Sequence, residues 1–338
     1  MKAYDFNLQQ WQQWCAEQNQ PAFRAKQIFS WCAKGAQPQE MTNLPKALIQ
    51  ALEQMGMGGV TISEVHPSAD GSEKYLYTCE DGHAMEGVLM QYQYGGSLCV
   101  STQAGCRMGC RFCASGEQGL ARNLTVGEMA GQLYAVTRLH GQRPFNHFVL
   151  MGCGEPLDNY DNVVHFLKLV SDEHGMNLSL RNVSLSTCGL VERIDDLAEE
   201  NLPITLCISL HAADDETRRA IMPIANRYAI ADVIAATRRY EQKTSRRVVF
   251  EYILIHGVND SIEDAKRLAS ITAGMRKHIN LIPFNGTKNG FTAPDAMTVA
   301  QFRATLEANH ASVTVRRRIG ADVEGACGQL RLKARGRQ

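Results

Sequence analysis

From Leu98 onward the chain alternates short apolar runs with amphipathic stretches, and this rhythm restricts what it can fold into. The runs LCVST, NHFVLM, NVSLST, ITLCIS, VVFEYIL and INLIP read as strands, and TVGEMAGQLYAVTRL and IADVIAATRRYEQ as helices between them. Repeated strand–helix units build a parallel sheet with its helices on one face, curved or closed into a barrel. Ligands of such sheets gather at the C-terminal strand ends, where the loops converge.

The first part of the chain has a different texture. Residues 1 to about 60 read as helical, with Leu8, Trp11, Trp14 and Cys15 at helical spacing, then FRAKQIFSWC and LPKALIQALEQM. KYLYTC and AMEGVLMQY bracket the turn Glu80-Asp81-Gly82 and form a hairpin. The expected organisation is a helical unit over 1–60, a β-hairpin extension over 61–95, the α/β unit over 96–318 and a C-terminal loop with a basic tail over 319–338. The aromatic residues of the helical unit serve equally to grip RNA or to pack a small core.

Polar and glycine-bearing motifs stand where the strands end. After the first comes Cys106, Cys110 and Cys113, a Cys-x3-Cys-x2-Cys run. Three thiolates in one loop can ligate three irons of a cubane cluster and leave the fourth iron open for chemistry. A zinc site would want a fourth Cys or His at ligand spacing, and no second Cys-x2-Cys pair follows. Gly152-Cys153-Gly154-Glu155 follows the second strand, a turn whose glycines let backbone approach a ligand and whose carboxylate can accept from an ammonium group. Ser186-Thr187-Cys188-Gly189, Ser209-Leu210-His211 and Pro283-Phe284-Asn285 end later strands. Each alone is an ordinary turn or cap. Placed on one rim they point to a shared ligand.

Composition narrows the setting. Eleven cysteines scattered over 338 residues lack the framework of a small secreted domain. That usage, with an amphipathic start and no run of about 18 apolar residues, predicts a soluble cytoplasmic protein with no membrane association. Acidic and basic residues balance at 35 each, but from Ala311 to the end seven basic residues face two acidic ones. Such an end either collects phosphates or is a solvated tail.

The cysteine loop with its QAGC, together with MGCGEPL, STCG, ISLHA, INLIPFN and GACGQL, resembles the RlmN/Cfr family of radical S-adenosylmethionine (SAM) RNA methyltransferases, from about Phe23 to Leu330. The resemblance implies a partial (β/α)6 barrel, a 4Fe-4S cluster on Cys106, Cys110 and Cys113, and two SAM molecules per turnover. It also implies methylation of an adenine C–H carbon in large-subunit ribosomal RNA. Neither C2 nor C8 of adenine is a nucleophile, so a carrier thiolate must hold the methyl group while a radical activates it.

By that likeness Cys327 carries the methyl group, Cys99 resolves the protein–RNA adduct by forming a disulfide, and Glu86 accepts the proton. Without the likeness, Glu86 would read as a solvated strand face and the two cysteines as buried small hydrophobes. SAM would be held by Gly154 and Glu155 at its amino end, and by Ser186, Ser209, Leu210, His211 and Asn285 elsewhere. Met108 and Phe112 would pack around the cluster, and His211 would be a hydrogen-bonding wall. Cys153 and Cys188 depart from the commonest family pattern and add thiols near a redox site. The Gly-Glu-Pro-Leu wording favours C2 over the C8 chemistry of the Cfr type. The resemblance extends to transfer RNA as a second substrate, a one-electron donor such as flavodoxin, and a monomeric state. The contrasting class is an iron-sulfur RNA-binding or redox-sensing protein without catalysis.

Overall fold

The computed structural model describes residues 1–286, 290–317, 319–323, 325 and 332–333. The chain opens with three helices, α1 (Leu8–Glu17), α2 (Phe23–Cys32) and α3 (Lys46–Met55). Asn7 starts α1 because its side chain accepts from Gln10 N at 2.9 Å while Gln10 accepts from Asn7 N at 2.8 Å, satisfying two otherwise orphaned donors. Trp11 is fully buried and meets Phe6 and Trp14 edge-on at 4.9 and 5.4 Å. Of the two uses expected for these aromatics, Trp11 serves the local core.

Next come β1 (Val60–Pro67), β2 (Glu73–Cys79) and β3 (Ala84–Tyr92), all antiparallel. The hairpin at residues 80–82 lies where expected. Strand β1 was not foreseen, since VTISEVHP is an exposed edge strand with no continuous apolar face to announce it.

Strand β4 (Gly95–Cys99) pairs antiparallel with β3 and parallel with β7 (His147–Leu150). The hairpin is therefore no separate appendage; it continues the sheet of the barrel. Between them, β5 (Gln103–Gly105) and β6 (Leu120–Asn123) form a small two-stranded sheet that closes the base of the cysteine loop, and α4 (Val126–Leu139) follows.

The rest alternates: α5 (Tyr160–Ser171), β8 (Val183–Thr187), α6 (Val191–Glu199), β9 (Thr205–Ser209), α7 (Asp215–Ile221), α8 (Ile230–Thr244), β10 (Val248–Leu254), α9 (Ile262–Ile271), β11 (Lys277–Pro283), α10 (Ala296–Ala308) and β12 (Val313–Val315). A two-residue strand, β13 (Leu332–Lys333), pairs with β3.

The six strands expected from periodicity run parallel in the order β4-β7-β8-β9-β10-β11, and β12 adds a seventh that is too short to show a pattern. Among the described residues β12 makes no ladder to β4, so the barrel is partial, as expected, and its far edge passes into β3-β2-β1. Alternation explains the layers: in β8, Val183, Leu185 and Thr187 are buried while Ser184 and Ser186 are half-buried. Phe148, Phe166 and Phe250 fill the core between sheet and helices. Asp5 ties the helical unit to the barrel, accepting from Gly127 N in the first turn of α4 at 2.7 Å. No helix among the described residues is long and apolar enough to cross a membrane.

Candidate active site

The cysteine loop hangs over the C-terminal rim of the sheet. Cys106, Cys110 and Cys113 line one cavity of about 150 Å³, together with Gly154, Glu155, Ser186, Ser209 and His211. Met108 and Phe112 line it too. Five of the seven residues expected to hold SAM thus face the three thiols across one space.

The donors suit a cluster. Burial pushes all three thiols up, Cys106 to about 12, but hydrogen bonds pull the other way, from Met108 N–H to Cys106 and from Ser115 and Gly116 N–H to Cys113. Donors aimed at sulfur favour the thiolate, the form that binds iron. Among the described residues no three His, Cys, Asp or Glu side chains converge as a single ion requires. Around one zinc, thiolate sulfurs would approach to about 3.8 Å of one another. A cubane instead takes each sulfur at its own corner, which three thiols lining one cavity allow.

The turn after β7 is built by close packing. A Cβ on Gly152 would lie 2.5 Å from Ser101 Oγ, and one on Gly154, whose φ is +109°, would lie 2.6 Å from Gln103 Cβ. Glycine is required here first because the turn presses on the chain's own residues 101–103, and only then because it opens toward a ligand.

Ser101 locks that contact, accepting from Cys153 N at 2.8 Å and donating to the Glu86 carbonyl at 2.9 Å. Gln103 accepts from Glu155 N at 2.8 Å. Glu155 in turn accepts from Leu157 N at 3.0 Å and Cys188 N at 2.8 Å, so its carboxylate pins two loops as well as facing the cavity. The Thr187 and Cys188 side chains donate to it as well, so a carboxylate with about four acceptor sites is fully supplied by the chain itself.

Ser186 and Ser209, on adjacent strands, share a hydrogen bond of 3.1 Å. His211 stands at φ +59° with its Nδ1 accepting from Ile253 N at 3.0 Å, which places the ring proton on Nε2. Burial, helped by the nearby Arg218 charge, holds its pKa down at about 3, so it is a neutral wall of the cavity, with Phe112 edge-on at 4.9 Å. Leu210 is fully buried and does not line the cavity. Its carbonyl instead accepts from Arg218 Nε at 3.1 Å.

Arg218 escaped the sequence reading. Its side chain is completely buried, and it donates to the Leu210, Tyr228 and Cys188 carbonyls at 3.1, 3.3 and 2.7 Å, lacing two of the ligand loops from below. Nothing in DETRRAIMP distinguishes this arginine from a surface one. Glu251 is also buried in the cavity wall, accepts from Asn280 Nδ2 at 2.9 Å, and lies 4.0 Å from Arg316. Arg316 therefore belongs to the site rather than to a solvated tail.

A second, smaller pocket adjoins the first. Met151, Ile282 and Arg316 wall both, and Cys99, Asn285, Arg317 and Gly325 line the second alone. Asn285 is thus placed beside Cys99, not among the other expected SAM contacts. Glu86 is 2 % exposed and ion-paired with Lys74, itself buried, at 3.0 Å, which overturns a solvated face for this carboxylate. Cys153 and Cys188 are buried, with thiols pushed up by burial, Cys153 to about 12, so both are held neutral. All ten described cysteines are free thiols, and Cys327 lies outside the described residues.

Residues 100–269 match the Radical SAM superfamily, and residues 2–57 match the ribosomal RNA large subunit methyltransferase N-terminal domain of RlmN. A probable dual-specificity RNA methyltransferase RlmN of Clostridium perfringens (strain 13 / Type A) is 47% identical over 340 residues, covering 98% of each chain. The chain belongs to the RlmN family of radical SAM RNA methyltransferases.

Another RlmN relative, from Clostridium botulinum (strain Alaska E43 / Type E3), is 47% identical over 97% of this chain and 95% of its own. The crystal structure of a radical SAM methyltransferase from Sphaerobacter thermophilus superposes with a TM-score of 0.94 at 40% identity, covering 98% of this chain and 99% of that one. Membership brings a 4Fe-4S cluster and SAM as cofactors. The cavity described above lies at the strand ends, where a parallel sheet collects its ligands.

Proposed function

We propose that this enzyme methylates C2 of an adenine in large-subunit ribosomal RNA, and an adenine of transfer RNA as well, through a methyl group carried on Cys327. The dual-specificity names of its relatives support the two RNA classes. The observation that carries the thiol chemistry is the pair of adjoining pockets, one lined by the three loop cysteines and the other by Cys99.

Gly325, two residues before Cys327, lines the Cys99 pocket, and a Cβ on it would touch Val88 of β3 at 3.4 Å. After Cys327 the chain rejoins β3, where Leu332 pairs with Met85. Gly325 and Leu332, which flank Cys327 in sequence, both lie against the strand carrying Glu86. That bracketing supports a carrier thiol within reach of both pockets.

Cys106, Cys110 and Cys113 would hold the cluster, which would supply the electron for cleaving SAM and so the radical chemistry that an unreactive C–H bond requires. The rest falls to side chains. Gly154, Glu155, Ser186, Ser209 and His211 orient SAM against the cysteine loop, and Leu210 backs that wall through Arg218. Asn285, placed beside Cys99, contacts the part of SAM nearest the second pocket. Neutral His211 offers Nε2–H as a donor. Glu86, buried beside Lys74, takes the proton from the methylated base in a site screened from water. Cys99 then attacks the Cys327 sulfur, and the product leaves as the disulfide forms.

Residues 1–60 serve as the RNA-binding accessory unit, 61–95 as its β-sheet link, 96–318 as the SAM barrel and 319–338 as the segment that delivers Cys327. The enzyme works as a cytoplasmic monomer that keeps its thiols reduced and draws electrons from a flavodoxin-like donor.

Replacing Cys99 with Ala in the anaerobically reconstituted enzyme should trap the protein covalently on RNA, seen as a band that persists in denaturing gels. Full-rate methylation with no adduct would reject the resolving role. Nucleoside mass spectrometry of wild-type product should give 2-methyladenosine; 8-methyladenosine would transfer the chain to the Cfr type.

A further inference from the structure

Beside the Cys99 pocket stands an aromatic pair with no part in the chemistry above, of which Tyr92 lines the pocket. Tyr92 ends β3, and Tyr94 sits in the tight turn to β4 with 63% of its surface exposed. Their rings stack at 4.9 Å between centroids and 7° between planes. His147 meets Tyr94 edge-on at 5.2 Å and 75°, which fixes the orientation of the outer ring.

A two-residue hairpin turn favours Asn, Asp and Gly, whose backbones adopt the required angles without strain. Gln93-Tyr94 follows no such preference, and a large exposed aromatic there wins little from burial. Its position is more informative. Tyr92 lines the pocket that holds Cys99, and the described lining of that pocket carries Arg316 and Arg317 but no acidic residue. Arg317 is exposed. A flat apolar ring beside a cationic rim matches a nucleotide, whose base stacks while its phosphate meets the arginine.

An adenine whose C2 must meet a thiol inside a pocket has to leave its stack, and its neighbour in the RNA then loses a stacking partner. We propose that the Tyr92–Tyr94 pair is a stacking platform for the RNA base adjacent to the target adenine, holding the strand open while the target turns in toward Cys99. This rests on the RNA-methylating function proposed above. The platform replaces the stacking energy that extrusion removes, and because every base has a π face it accepts different neighbours. A site that must serve two RNA classes needs that tolerance.

The test uses the reconstituted holoenzyme with an RNA hairpin that the wild type methylates, comparing Tyr94→Leu and Tyr94→Trp by fluorescence anisotropy. Each protein is also titrated with hairpins carrying an abasic site on either side of the target. Tyr94→Leu should weaken binding roughly 5- to 150-fold, the range of one base–aromatic stack, while Tyr94→Trp retains wild-type affinity. One abasic substitution should cost the wild type a similar factor and cost Tyr94→Leu nothing further. Cluster absorbance and SAM binding should match in all three proteins, since the ring lies outside the SAM cavity.

Equal RNA affinity for Tyr94→Leu, or an abasic penalty as large in Tyr94→Leu as in the wild type, overturns the platform alone. A wild-type enzyme that methylates no RNA overturns the proposed function and the platform with it.

Discussion

Acid should weaken this protein through His211 in a way that can be isolated. His211 Nδ1 already accepts the Ile253 N–H at 3.0 Å, so protonation would set two N–H groups against each other inside a buried site. Burial first, and the Arg218 charge second, lower the pKa from 6.5 to about 3. Because the folded value lies below the unfolded one, the stability associated with neutral His211 is intact above about pH 6.5 and is withdrawn as pH falls toward 3. From pH 7 to pH 5 only the unfolded imidazole gains a proton, which favours unfolding by about 2 kcal/mol.

The control is His211→Asn, which keeps a side chain tolerant of positive φ and removes the titration. Chemical denaturation of the apo-protein, with the cluster chelated away under reductant, would be followed for both proteins between pH 7 and pH 5. Other titrating groups are common to the two, so the wild type should lose about 2 kcal/mol more than the variant. Parallel profiles would refute the argument. So would a His211 resonance, in protein carrying carbon-13-labelled histidine, that titrates near pH 6.5.

Two further outcomes follow from the packing beneath the cavity. Gly152→Ala puts a methyl group 2.5 Å from Ser101 Oγ and 2.8 Å from its backbone N, so the turn must shift; calorimetry should show SAM affinity reduced at least tenfold and stability by about 1–3 kcal/mol, and unchanged binding would mean the turn does not position SAM. Arg218→Lys keeps the charge but cannot serve three carbonyls from three segments; losing two of three bonds at roughly 1.5 kcal/mol each predicts a loss of about 3 kcal/mol in denaturation, and a loss under 1 kcal/mol would show that the lacing is dispensable.

The six parallel strands were legible because each is a short apolar run bounded by turn residues, and the loop cysteines because their spacing is local. Elements whose identity depends on neighbours were not. Strand β1 is exposed and polar, and exists because β2 offers an edge to pair with. Glu86 looked like a surface carboxylate until the ladder laid Lys74 beside it. Ser101 and Gln103 read as ordinary polar residues after a strand, yet they receive the turn of residues 152–155.

By itself the sequence determined the barrel's strand–helix rhythm and the Cys-x3-Cys-x2-Cys loop, since these depend on residue type at short spacing. Tertiary structure decided which groups meet. It set the turns that carry Gly154, Ser186 and His211 against the cysteine loop, put Cys99 in an adjoining pocket with Asn285, buried Arg218 under two of those turns, and brought Gly325 and Leu332 back to β3. Those relations span tens to hundreds of residues, and no local pattern encodes them. They arise when a sheet closes far enough for its first and last strands to share one rim.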